Sequence, residues 1–253
     1  MKHLFVASVV FVLLSFTIME TVFKRFAAPE GYKRIRYASG SFGEWLQNRP
    51  LKPRGTKTLT YRGSIARTDD YTAAVVDMSI GQYDLQQCAD AVIRLRAEYL
   101  FAKKDFKAIH FNFTSGFNCD FIHYADGYRY QQSGSWKKLA NKDYSYASFL
   151  RYLDLVFSYA GTLSLEKELK KVDNLPNIQI GDVFIKGGSP GHCFIVMNVS
   201  INPAGQRKFM LAQSFIPAQN IQLLQYGSPW FSLDKPVYLP YGEIVNANNL
   251  RRF

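Results

Sequence analysis

From residue 178 onward the chain runs in short β-branched or aromatic stretches: IQIGDVFIK (178–186), HCFIVMNVSI (192–201), KFMLAQSF (208–215) and NIQLL (220–224). GGSPG (187–191) and NPAGQ (202–206) punctuate them, so they predict strands, with the NPAG turn joining its two neighbours as a hairpin. Upstream the apolar period lengthens. It predicts a helix over 85–102, another over 145–160 that stops at Gly161, and a third over 162–172 that is closed by Pro176. SFGEWLQN (41–48) predicts a short helix in an irregular opening segment, and 58–63, 71–80 and 108–113 predict strands. Residues 115–144 are aromatic and polar without a period and predict a long loop. A helical middle followed by an antiparallel β meander is an α+β pattern, and no repeat or low-complexity linker divides residues 20–253, which read as a single domain.

Composition adds an address. After Met1-Lys2-His3 come sixteen uncharged residues, LFVASVVFVLLSFTIM, followed by Glu20 and the basic pair Lys24-Arg25. A basic start and an apolar run of this size predict that residues 1–19 are an export signal or an N-terminal membrane anchor. The expected location is outside the cytoplasm, in the periplasm or held on the membrane facing out. The net charge of +11, from 31 Lys+Arg against 20 Asp+Glu, favours an anionic partner such as an envelope polymer. The basic residues are scattered and no nucleic-acid module is present, so nucleic acid is not the expected partner.

Three cysteines in an exported chain leave at least one thiol without an intramolecular disulfide partner. Cys88 stands in DLQQCADAVIRLRAEY, where Asp84 and Gln87 have capping-box spacing and place it in a first helical turn. There the free N–H groups and the helix dipole lower a thiol pKa. Leu85, Cys88, Val92, Leu95 and Tyr99 also form one apolar stripe, on which a cysteine is a core residue. Both readings stay open. His192 opens a strand directly after the glycine-rich turn, a position from which a scaffold presents a side chain while the turn admits a substrate backbone. Cysteine and histidine together suit thiol hydrolysis, with the imidazole taking the thiol proton and returning it to the leaving amine. Gln213, one hairpin later, is expected to orient the ring through its amide oxygen. Gln86, Gln87, Ser189 and Ser214 are the expected substrate-binding residues, and Gln82, Gln86, Gln87 or the Cys88 N–H the oxyanion donors. The spacing of His110, Cys119 and His123 matches no standard zinc pattern, and no glycine signature for nucleotides occurs, so no metal or cofactor is expected.

GSFGEWLQNRPLKP, DLQQCADAVIRLRAEYLF, FTSGF followed by DGYR, YLDLVFSYAGTLSLEKEL, IGDVFIKGGSPGHCFIVMNV, LAQSFIPAQNIQLL and SPWF together resemble the bacterial envelope family catalogued as domain of unknown function 4846. That resemblance implies an exported protein typical of Bacteroidota and implies no reaction. More distantly, the order of Cys88, His192 and Gln213 resembles papain-like cysteine peptidases of the NlpC and CHAP types. It implies a papain-like fold with nucleophile, base and orienting residue in that order, acting on peptide or related acyl bonds of the cell wall. The rival expectation is a non-catalytic envelope protein that binds a glycan or peptide in a groove of Tyr124, Tyr128, Tyr130 and Trp136.

Overall fold

The computed structural model describes residues 20–172 and 177–253, so the export segment and Pro176 lie outside the described residues. The first elements are short: α1 (Val22–Arg25), β1 (Lys33–Arg34) and α2 (Phe42–Gln47). Ser41 caps α2 by accepting from Glu44 N at 3.2 Å, which supplies one of the acceptors a helix start lacks.

The strand expected at 58–63 does not form. Thr58 N donates to Asp69 Oδ1 at 2.8 Å and Leu59 N to Asn220 Oδ1 at 2.9 Å, so side-chain acceptors replace a ladder and leave isolated bridges. The next expected strand, 71–80, is trimmed to β2 (Thr72–Val75).

Helix α3 (Cys88–Ala102) starts three residues later than its periodicity predicts. Asp90, not Asp84, supplies the cap: Asp90 Oδ2 accepts from Gln87 N at 2.9 Å. Asp84 Oδ1 instead accepts from Ala218 N at 2.6 Å and from the Gln87 side chain at 3.2 Å, tying this segment to a distant loop. The helix is buried well beyond its apolar stripe, with Ala91, Ile93, Ala97, Asp90 and Arg94 all inside. Arg94 is tolerated there because its Nε donates to Glu98 Oε1 at 2.8 Å and its Nη2 to Tyr146 Oη at 3.3 Å.

Residues 115–144 correct the loop expectation. They join the predicted strand, now β3 (His110–Asn112), to β4 (Asn118–Asp120), α4 (Phe121–Ala125) and the hairpin β5 (Tyr128–Gln131) and β6 (Ser135–Lys138). Strands of three or four residues are too short to show a period, and interlocked rings such as Phe113, Phe117, Tyr130 and Trp136 hold them. Helix α5 (Tyr146–Tyr159) is capped by Ser145 as its pattern predicts, and α6 (Thr162–Glu168) ends early, giving way to β7 (Lys170–Lys171).

The expected meander is present as β8 (Val183–Lys186), β9 (His192–Ile201), β10 (Arg207–Gln213) and β11 (Gln222–Leu224). With β12 (Leu250–Arg252) it forms an antiparallel sheet of order β2-β11-β10-β9-β8-β12-β7, with β1 also on β9. The α+β class therefore holds. Helix α3 packs on β9 and β10, and Phe184, Phe194 and Phe209 fill the interior of the sheet strands. One irregularity shapes the site: Met210 pairs with Asn198 but Leu211 pairs with Val196, so Met197 is an extra, bulged residue in β9. Among the described residues no helix is long and apolar enough to cross a membrane.

Candidate functional site

Gln87 is the N-cap of α3, which makes Cys88 its first helical residue. The thiol residue is 6% exposed and lines a cleft of about 810 Å³. One wall is the segment from Asp84 to Asp90; the opposite wall is the junction of α5 and α6 from Phe157 to Leu163. Gly188 to Gly191, Ile216 and Tyr241 close the rest. A Cβ at Gly191 would run into Thr162 Oγ1 and the Gly188 carbonyl, so this glycine lets the head of β9 pack against the start of α6.

His192 follows that glycine with no exposed surface and does not itself line the cleft. Its Nε2 lies 2.7 Å from Gln213 Oε1, and an amide oxygen only accepts, so the ring proton sits on Nε2. Nδ1 therefore carries the lone pair, and among the described residues it has no hydrogen-bond partner. The next residue, Cys193, donates its thiol to the Cys88 carbonyl at 3.3 Å and ties the head of β9 to the head of α3. All three cysteines are free and buried.

The electrostatics reverse one expectation. The Cys88 thiol is pushed up to about 12, first by burial and then by the neighbouring Asp90 carboxylate, and these outweigh the favourable backbone N–H. Burial also raises Asp90 to about 8, against the lowering backbone N–H groups of Gln87 and Asp90, while its Oδ1 has no partner among the described residues. His192 is lowered to about 4 by burial, opposed by its bond to Gln213. At neutral pH thiol and imidazole are both uncharged.

Of the other predicted residues, Gln87 and Ser189 line the cleft. Gln86 and Ser214 do not: both are buried, and the Ser214 hydroxyl lies 2.9 Å from the carbonyl oxygens of Gln86 and Gln219. Because the N-cap moved three residues along, Gln87 both caps the helix and lines the cleft, while Gln86 is buried off it. The Gln87 amide donates to Asp84 and is held, Gln82 lies off the cleft, and the Cys88 N–H is among the first N–H groups that have no partner inside a helix. His123 is paired with Asp120 at 2.7 Å and His110 with Asn118 at 3.3 Å, on either side of the buried Cys119. Tyr124 is buried beneath Arg129, so it does not line an open groove; Trp136 stacks on His123 with centroids 5.5 Å apart.

Tyr241 was not foreseen. Its ring stacks on the His192 imidazole with centroids 4.9 Å apart and planes 25° apart. Pro240 and Gly242 were the available signal, since proline and glycine punctuate the chain at turns.

No curated protein and no solved structure matches the chain. The family model described as domain of unknown function 4846 matches residues 22–251, and the chain belongs to that family.

Proposed function

We propose that the cleft is a thiol hydrolase site acting on amide or related acyl bonds, with Cys88 as nucleophile, His192 as base and Gln213 as the residue that orients the base. The observation that carries the reading is the 2.7 Å bond from His192 Nε2 to Gln213 Oε1, which leaves a buried Nδ1 with no partner among the described residues. A helix bearing a thiol at its start, packed on antiparallel strands bearing the histidine and the amide, supports a papain-like arrangement as part of this proposal.

Both groups rest neutral, so the chemistry is general-base catalysis and not attack by a standing thiolate. As the sulfur bonds to the substrate carbonyl carbon, its proton passes to Nδ1. The imidazolium returns that proton to the leaving amine, and water then hydrolyses the thioester to free acid and thiol. The Cys88 N–H is the donor for the oxyanion. The cleft wall holds the acid Asp84 and no lysine or arginine, and Asp90 beside it keeps its proton at neutral pH. The net charge of +11 thus serves the outer surface, where it would hold an anionic envelope polymer while a neutral or cationic stretch of peptide enters the cleft. Export through residues 1–19 belongs to the same proposal.

The raised thiol and the covered imidazole favour a second reading, a binding module whose cleft takes a peptide without cleaving it. Cys88→Ala separates the two. Lost hydrolysis of cell-wall peptides with an unchanged melting curve supports the enzyme; unchanged peptide binding with no hydrolysis by either protein supports the module.

A further inference from the structure

The ring that covers His192 rests on an unusual backbone. Tyr241 has φ 63 and ψ 16, and Lys104 is the other non-glycine residue with positive φ among the described residues. That conformation is strained for an L-residue. Gly242 follows, where a Cβ would collide with the Val237 carbonyl, and Gly242 N donates to Leu239 O at 2.8 Å. The tight turn and the left-handed residue together aim the ring at the imidazole. Phe194, at 4.7 Å and edge-on, and Phe215, at 5.2 Å, pack against the same ring. Tyr241 lines the cleft and His192 does not, so the phenol ring is the part of this aromatic box that meets the cleft.

We propose that Tyr241 is a positioning residue of the thiol site: its ring fixes the plane of the His192 imidazole and seals that face from the water of the cleft. Its effect on turnover rests on the hydrolase reading, whereas the sealing itself is measurable without any substrate.

Few titratable groups surround the imidazole. Strand β9 brings the buried Cys193 and β8 the exposed Lys186 as register partner of His192, while Cys88 and Asp90 on α3 are not among the causes that shift the ring. The 241 turn adds the phenol itself and the exposed Glu243, and β10 contributes the neutral Gln213. Burial is the leading cause of the lowered imidazole, so loss of the cover is what should move it.

The test follows the His192 imidazole by NMR against pH in the full chain. Tyr241→Phe keeps the ring. Tyr241→Asn and Tyr241→Gly remove it and suit a left-handed backbone, so one serves if the other fails to fold. The chain and Tyr241→Phe should titrate at about 4, and the ringless variants should rise by about a unit or more toward 6.5 as water reaches the imidazole. With a hydrolysed peptide, kcat of a ringless variant falls about tenfold with little change in KM, and the acid limb of its pH profile moves up with the imidazole. An unchanged His192 titration in a folded ringless variant overturns the proposal. A raised titration without thiol turnover in any of these proteins upholds the sealing role and removes the hydrolase reading.

Discussion

His192 and Gln213 meet across neighbouring antiparallel strands with 2.7 Å between Nε2 and Oε1, and the bulge at Met197 makes the meeting possible. With a regular ladder from Met210 onward, Gln213 would stand opposite Ile195 and point to the other face. The extra residue moves it opposite Phe194, on the face His192 shares.

Removing the amide should therefore cost both stability and chemistry. Gln213→Leu leaves the buried Nε2–H without an acceptor, which destabilises the fold by about 1–3 kcal/mol in denaturant titration. Turnover should fall about 100-fold as the ring loses its orientation and tautomer. Gln213→Glu should instead raise the His192 pKa, because a carboxylate stabilises the imidazolium.

Asp90 and His192 set opposite slopes of stability with pH. Between about 3.8 and 8 the folded chain keeps a proton on Asp90 that the unfolded chain releases, so stability falls as pH rises through that window. His192, lowered from 6.5 to about 4, makes stability fall as pH drops between those values. From about 4 to 6.5 the two slopes cancel, and from 6.5 to about 8 Asp90 acts alone. Denaturant titrations should show the chain losing up to about 2 kcal/mol over that upper interval relative to Asp90→Asn, which no longer titrates.

Ser214 should matter to the fold and not to substrate. Its hydroxyl holds the Gln86 and Gln219 carbonyls, so Ser214→Ala should cost about 1–2 kcal/mol while KM for any cleaved peptide stays the same. A raised KM with full stability would return Ser214 to the cleft.

The sequence disclosed the meander because β8 to β11 alternate between clear turn residues, and it disclosed α5 because Ser145 and Gly161 mark its ends. Strands 118–138 stayed hidden: each is three or four residues long and held by ring packing, which leaves no period. Within the site, Cys88, His192 and Gln213 were legible as residue types at a helix start and strand ends. The cap at Asp90 was not, because the Asp84 and Gln87 spacing imitates it. The sequence left the thiol open between activation by the helix dipole, a local effect, and burial on the apolar stripe; its burial comes from elements far along the chain, and burial wins. Tyr241 lies 49 positions from His192 and could be joined to it only by the fold.

The central claim is that His192 activates Cys88. Alkylation of the folded chain by a peptidyl vinyl sulfone at neutral pH, with the adduct located by mass spectrometry, measures it directly, since Cys119 and Cys193 are buried with no exposed surface. The account predicts an adduct on Cys88 that forms at least about 100-fold faster in the native chain than in folded His192→Asn. Equal rates in the two proteins, or no adduct on Cys88, would contradict it.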